Sequence, residues 1–276
     1  MHPSCRVCGG NRIHMIPLIG ASALVFKCID CGFAFKAREA VDYRHLPGSS
    51  FTAYEFDRSK EASQLLGILK REFKRREGLN VVEIGCGTGS LLLELRERGL
   101  HVFGFEPSGA AVRMARKKLG EELISEGFFN PKEIPLRPQV ILLNDVIEHL
   151  DDSFGLFQQV SEVMDRNAVF LVKSGDPESL NAKLYPPKWS YFLDDLHVAF
   201  HTRKSLAIIC SKSGLRLERF HKFRHAYGGF AFSALMRNVG CAACNMILGA
   251  RPDFKSKFQI GLANDHFVAV IRKDAC

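Results

Sequence analysis

Apolar residues along this chain follow two alternating patterns: short continuous runs, and longer stretches in which they recur every three or four positions. Leu79 to Ile84, His101 to Phe105, Gln139 to Asn144 and Ala168 to Lys173 have the length of strands buried on both faces, and Glu122 to Ser125 is a shorter one. Between them, Ser90 to Arg98, the segment opened by Pro107-Ser108 (Ala111, Val112, Ala115, Leu119) and the segment opened by Asp151-Asp152-Ser153 (Leu156, Val160, Val163) have the period of amphipathic helices. A helix from about Glu55 to Arg76 places Ala62, Leu65, Leu66, Leu69 and Phe73 on one face and ends at Gly78. Thr202 caps a further helix through Cys210, Leu215 to Phe223 alternates as a strand, and Phe267 to Ile271 is the last strand. Strands and helices in this alternation predict an α/β fold with a seven-stranded, doubly wound sheet.

The junction after the first of these strands is the most specific feature. Glu83-Ile84-Gly85-Cys86-Gly87-Thr88-Gly89 has glycines at alternate positions, ahead of the helix that Ser90 begins. Glycines there let the backbone approach a ligand and expose N–H groups at a helix start. A dinucleotide loop of the G-x-G-x-x-G kind would need its third glycine at 90, where this chain has serine. Glu106 ends the next strand, twenty-one residues beyond Gly85, where a carboxylate can take both hydroxyls of a ribose.

The E-x-G-x-G-x-G loop resembles motif I of the Rossmann-like methyltransferases that bind S-adenosylmethionine, and Asn144-Asp145-Val146-Ile147-Glu148-His149-Leu150 resembles the D-V-L-E-H segment of the ubiquinone-biosynthesis type of O-methyltransferase. The resemblance covers roughly residues 55–225, including the segment around His197. It implies that Glu83, Gly85, Cys86, Gly87, Thr88, Gly89, Glu106, Pro107, Asn144 and Asp145 form the cofactor site. Phe128 or Phe129 after Gly127 would flank the adenine. For transfer to a hydroxyl, His149 is the first candidate base and His197 the second. Some relatives use an acidic-x-x-Glu-His cluster to hold a divalent cation, so Asp145, Glu148 and His149 are also a candidate cation site. The same residues can equally serve to position the loop.

The first 45 residues are a separate pattern. Cys5-x-x-Cys8-Gly and Cys28-x-x-Cys31-Gly are nineteen residues apart, the spacing of four thiolates around one structural zinc. They predict an N-terminal four-cysteine zinc ribbon over 1–45, a linker containing Pro47-Gly48-Ser49-Ser50, and a methyltransferase domain over 46–276 with insertions at 175–202 and 226–263. In the first insertion Trp189 and Tyr191 are expected to wall the substrate pocket. His197 would point into the cleft, and His201 would be structural. Residues 226–250 are mostly apolar, but Arg237, Asn238 and Asn245 make a membrane-spanning helix poor, and Cys241 and Cys244 are read as buried.

Composition narrows the function. Apolar residues make up 46% and charged residues 25%, the balance of a soluble globular protein. Nine cysteines without an opening segment of signal-peptide form point to a reducing compartment, expected to be the cytoplasm. A net charge of +8 and seven Lys or Arg between 203 and 225 permit a phosphate-bearing substrate or nucleic acid, although a solvated helix face followed by an alternating strand explains them as well. The resemblance, with the aromatic segment 185–192 as a lid that excludes water, implies a small-molecule acceptor with a hydroxyl, of sugar or natural-product type, as the expected substrate. An RNA methyltransferase using the ribbon, a C-methyltransferase on a nucleotide-linked sugar and a silent cofactor-binding scaffold are the alternatives. Neither the acceptor nor the oligomeric state is legible.

Overall fold

The protein is described from a computed structural model, which covers residues 4–18, 24–37, 41–46, 49–52, 58–184, 186–223 and 265–274. Cys241, Cys244 and the insertion expected at 226–263 lie outside the described residues.

Two sheets are present. The smaller contains β1 (Ile13–Pro17), β2 (Leu24–Cys28) and β3 (Ala34–Lys36) in antiparallel order. The larger contains β4 (Asn80–Ile84), β5 (His101–Glu106), β6 (Ile124–Glu126), β7 (Val140–Asn144) and β8 (Val169–Gly175). β9 (Ala199–Phe200) joins the smaller sheet, while β10 (Leu215–Phe223) and β11 (His266–Lys273) complete the larger. The order in the large sheet is β10-β11-β8-β7-β4-β5-β6, parallel except for β11, which is antiparallel to both neighbours. Each of its seven strands lies where the apolar pattern predicts one.

Helices cover both faces, which is why the central strands are apolar throughout. On one face α1 (Ser59–Glu72), α2 (Ser90–Glu97) and α3 (Gly109–Leu119) bury Leu65, Leu92 and Val112 against Val81, Val102 and Leu142. On the other face α4 (Ser153–Val163) and α5 (Arg203–Lys212) bury Phe157, Val160, Leu206 and Ile209 against Val82, Phe103, Ile141 and Phe170. Asp152 caps α4 through the Gly155 N–H, and Thr202 and Ser205 form a reciprocal capping box on α5.

The cysteine-bearing strands are fused to this second face. Cys5, Val7, Cys28, Cys31, Phe33 and Phe35 belong to the same core as Phe157 and Leu206. β3 pairs with β9, so a strand of the 175–202 insertion is the fourth strand of the small sheet. Trp189, only 2% exposed, packs there with Val25, Ala34, Phe192 and Phe200. It is therefore core, and not the pocket wall expected of it.

Because the chain runs from β4 outward to β5 and β6, then returns to β7 and β8, the strand order reverses between β4 and β7. Ligands in such sheets bind beyond the carboxyl ends at this point.

Candidate active site

The loop after β4 is built around left-handed glycines. Gly89 (φ +73°) has no room for a side chain, since a Cβ would lie 2.9 Å from Leu119 Cδ1 and 3.1 Å from Ala115 Cβ. Gly87 (φ +54°) has nothing within 4 Å of that position, so its inner surface is open for a ligand to approach. Gly89→Ala should accordingly cost about 2–4 kcal/mol from left-handed strain and overpacking, lowering Tm by roughly 5–15 °C. Gly87→Ala should cost only the strain. Equal melting temperatures for the two variants would refute this division. Gly89 starts α2 without a side-chain cap, so the first-turn N–H groups are available to an anion.

Glu106, 5% exposed, accepts hydrogen bonds from the N–H groups of Gly87 and Ser108, both at 2.9 Å. Burial raises its pKa, while these two N–H groups pull it down. Each oxygen thus has one fixed partner and keeps capacity for a second. Pro107, Gly109, Ala110 and Gly127 line a cleft of about 580 Å³ together with Arg44, His45 and Leu46. At its edge Phe128 is 62% exposed, with the Arg44 guanidinium 5.9 Å from its ring centroid. Phe129 is buried and packs edge-on against Phe105 at 5.2 Å. Of the two phenylalanines, only Phe128 is placed to flank a base.

Two polar groups beneath the loop lack partners among the described residues. Asn144 Oδ1 is buried and accepts nothing. Glu83 is 2% exposed, its Oε2 is unpartnered, and burial, followed by the charge of Glu61, pushes its pKa up to about 8. Cys86 and Thr88 are buried in the loop itself.

The loop after β7 departs from the expected cation site. Asp145, in the left-handed region (φ +53°), points its Oδ2 to Lys173 Nζ at 2.8 Å. Lys173 also pairs with Glu61, which in turn pairs with Arg58. Burial disfavours the Lys173 charge, but Asp145 and Glu61 hold its pKa above the ordinary value. Asp145 thus neutralises a buried ammonium. The groups gathered within 4.8 Å of one another are instead Glu148, His149 and His197. Even there, Glu148 is wholly buried, and its two oxygens accept from Ser174 Oγ at 2.9 Å and Tyr191 Oη at 2.8 Å. That carboxylate clasps the insertion to β8, and the side chains close enough to share an ion are Glu148, His149 and His197 rather than Asp145, Glu148 and His149.

His197 Nδ1 lies 3.1 Å from the carbonyl oxygen of Tyr191. A carbonyl only accepts, so in the neutral ring Nδ1 carries the proton and Nε2 the lone pair. Burial lowers the His197 pKa and keeps the ring neutral, with Glu148 opposing. His149 Nδ1 instead lies 2.6 Å from Tyr43 Oη and 3.0 Å from Leu196 O, and its ring meets that of His197 edge-on at 4.8 Å. Tyr191, kept protonated by burial beside Glu148, packs on His197 at 4.4 Å.

His201 faces away from this group, buried against Phe33 at 4.7 Å and bonded through Nε2 to Ser153 Oγ at 3.1 Å. Burial pushes its pKa down to about 3. The unfolded chain takes up this proton near pH ~6.5 and the folded chain does not. Stability therefore falls as pH drops from about 6.5 toward about 3, by up to ~1.4 kcal/mol per unit. His201→Phe should flatten the pH dependence of Tm over that range. Parallel curves for variant and parent would refute the assignment.

The four cysteines converge as their spacing predicts. Cys5 and Cys31 sulfurs are 3.5 Å apart, Cys8 and Cys28 sulfurs 3.6 Å, and all four lie within 4.8 Å of one another. The edge of a sulfur tetrahedron with ~2.3 Å zinc bonds is ~3.8 Å. The Gly10 N–H donates to Cys8 Sγ at 3.4 Å. Cys5 is pulled down to about 5 by its hydrogen bond with Cys31, and that bond holds Cys31 up.

Several site residues carry no signal in the sequence. Tyr43 sits in the ribbon-to-domain connection, and Lys173 and Ser174 close a strand that reads as plain core. Four of the seven cations in the run at 203–225 are engaged internally. Arg219 pairs with Glu72, Lys222 with Asp176, and Lys212 and Lys204 donate to the carbonyls of Val7 and Asp30.

A family model described as a methyltransferase domain matches residues 56–219. The chain belongs to this methyltransferase family. An uncharacterised methyltransferase of Bacillus subtilis is 36% identical over 80 residues, 28% of this chain and 38% of that protein. Another, from Anoxybacillus flavithermus, is 33% identical over 101 residues, 36% of this chain and 45% of that one. The chain thus spans less than half the length of these relatives. Among solved structures, a SAM-dependent methyltransferase from Archaeoglobus fulgidus superposes with a TM-score of 0.52 at 17% identity, covering 78% of this chain and 94% of the other. A phosphoethanolamine N-methyltransferase from Haemonchus contortus, in complex with S-adenosylhomocysteine, gives 0.56 at 15% identity over 95% and 71%. The mitomycin 7-O-methyltransferase gives 0.50 at 19% over 78% and 54%. At these identities the likeness is one of fold. Among the described residues no helix is long and apolar enough to cross a membrane.

Proposed function

We propose that this protein transfers the methyl group of S-adenosylmethionine to a hydroxyl of a small metabolite, with His197 as the base. The carrying observation is the pairing of an open glycine loop and the Glu106 carboxylate with a neutral, half-buried imidazole at the same edge of the sheet. The residues fit the cofactor. Glu106 would take the ribose hydroxyls, Pro107 and Phe128 the adenine, and the uncapped start of α2 the carboxylate. The orphaned Asn144 Oδ1 and the Glu83 carboxyl would receive the cationic amino-acid end.

When bound, the cofactor supplies an electrophilic methyl, so transfer depends on alignment. His197 Nε2 accepts the proton of the acceptor hydroxyl as the oxygen attacks, and Nδ1–H stays on the Tyr191 carbonyl. Tyr191 and Glu148 hold this face closed. His149, tied by Tyr43, shapes the acceptor site beside it. The likeness of segment 144–150 to the ubiquinone type of O-methyltransferase supports an oxygen acceptor, and the internal pairing of the 203–225 cations favours a small molecule over RNA.

Calorimetry with S-adenosylhomocysteine, followed by methyl transfer to a panel of phenols, sugars and RNA, tests the reading. Absence of nucleoside binding refutes it, and transfer to RNA that weakens steeply with salt favours the other acceptor class.

We also propose that Cys5, Cys8, Cys28 and Cys31 hold one structural zinc. Metal analysis should give one zinc per chain, and Cys8→Ser should release it with loss of stability, because binding the ion is linked to folding. A chain as purified with no zinc and an unchanged Tm would refute this.

A further inference from the structure

We propose that Lys36, a residue of the cysteine-bearing sheet, is the positioning residue that sets the catalytic histidine. The inference rests on the reading of His197 as base. Lys36 is 1% exposed although it is a lysine in a three-residue strand. Its ammonium donates to the carbonyl of Asp194, and its own backbone N–H donates to the carbonyl of Val198 at 2.9 Å. One residue thereby grips both ends of the turn 194–198, on which His197 is the fourth position.

The turn is held to the catalytic side as well. Val198 N–H donates to the Glu148 carbonyl at 2.8 Å, the His197 N–H lies 3.3 Å from the Asp194 carbonyl, and Leu196 O lies 3.0 Å from His149 Nδ1. Lys36 is thus one hydrogen bond from the turn that carries one histidine and contacts the other. β3 and β9 continue the connection through Ala34–Phe200 and Phe35–Ala199.

Burying an ammonium costs free energy that an aliphatic side chain would not. Fixing a carbonyl beside the catalytic turn is a task that an amine at position 36 performs and an aliphatic side chain could not. The groups facing His197 from the packed elements are Glu148 and His149 after β7, and Tyr191 and Asp194 from the insertion. Without the Lys36 ammonium the Asp194 carbonyl keeps only the longer contact within its own turn, from the His197 N–H at 3.3 Å, among the described residues.

Lys36→Met, which keeps the length and removes the donor, is the test, made on the full chain with its metal content measured. S-adenosylhomocysteine affinity should stay within about twofold and the metal content should be unchanged. kcat should fall roughly 10- to 100-fold with KM for the cofactor unmoved, amides 194–198 should exchange at least about tenfold faster, and the acid limb of kcat should move up toward about 6.5 as His197 becomes solvated. Wild-type kcat with unaltered exchange overturns the proposal. So does a loss of cofactor affinity in step with turnover, which would mark Lys36 as merely structural. If the methionine variant does not accumulate, Lys36→Gln, which retains a donor of shorter reach, is read by the same criteria. His197→Gln separates the two ideas. Wild-type turnover in that variant ends the base reading, while the exchange rates in K36M still decide whether Lys36 holds the turn.

Discussion

Glutamine at position 197 should lower kcat for methyl transfer by roughly 10²- to 10⁴-fold, the range for loss of a general base, while S-adenosylhomocysteine binding changes by less than about twofold. The asymmetry follows from where the residue sits. His197 belongs to the insertion between β8 and α5, on the proposed acceptor side, whereas the glycine loop and Glu106 lie on β4 and β5. Burial lowers its pKa, so the ring remains a competent base below the ordinary histidine value. The acid limb of kcat should therefore fall below about 6.5, the value of a solvated imidazole. His149→Gln should do less, because the proposed part of His149 is to shape the acceptor site and not to take the proton. If His149→Gln proves the more damaging change and the acid limb follows that residue, the two histidines exchange roles and the Tyr191 carbonyl is only a packing contact.

How much of this is readable from the sequence depends on whether the signal is local. Strands buried on both faces are runs of apolar residues, and the capping chemistry of Ser108, Asp152 and Thr202 lies within three residues of each helix, so the large sheet is legible throughout. The glycine loop and the four cysteines are legible for the same reason, since each is a short spacing with one geometric use. Contacts that join distant segments are not. Nothing in Ala199-Phe200 distinguishes a strand that pairs with residue 35 from a loop. Trp189 is misplaced by sequence reasoning because an aromatic in an irregular segment looks alike whether it faces a substrate or a second sheet. The pairing of Asp145 with Lys173 is not legible, because Lys173 is the single cation at the end of an otherwise apolar strand, and the pair meets only once β7 and β8 lie side by side. The expected ribbon boundary at residue 45 likewise gives no hint that Phe33 and Phe35 share a core with Phe157.

Glu106→Ala should raise the dissociation constant for S-adenosylhomocysteine by roughly 10²- to 10⁴-fold, since two hydrogen bonds to a charged acceptor are worth about 1.5–3 kcal/mol each. The effect has two parts that a second variant separates. The carboxylate is the proposed anchor for the ribose hydroxyls, and it also fixes Gly87 through one oxygen and the start of α3 through the other. Glu106→Gln keeps an acceptor oxygen but places an amide N–H₂ against one of those backbone donors. It should retain part of the affinity and lose more of the loop's order. Tm should fall by only a few degrees in either variant, because the change leaves Val102, Phe103 and Phe105 of the same strand in place. Cofactor binding by Glu106→Ala as tight as the parent's would mean that the acid serves the loop alone, and the ribose would then have to be held by some other group along the Arg44–Gly127 cleft.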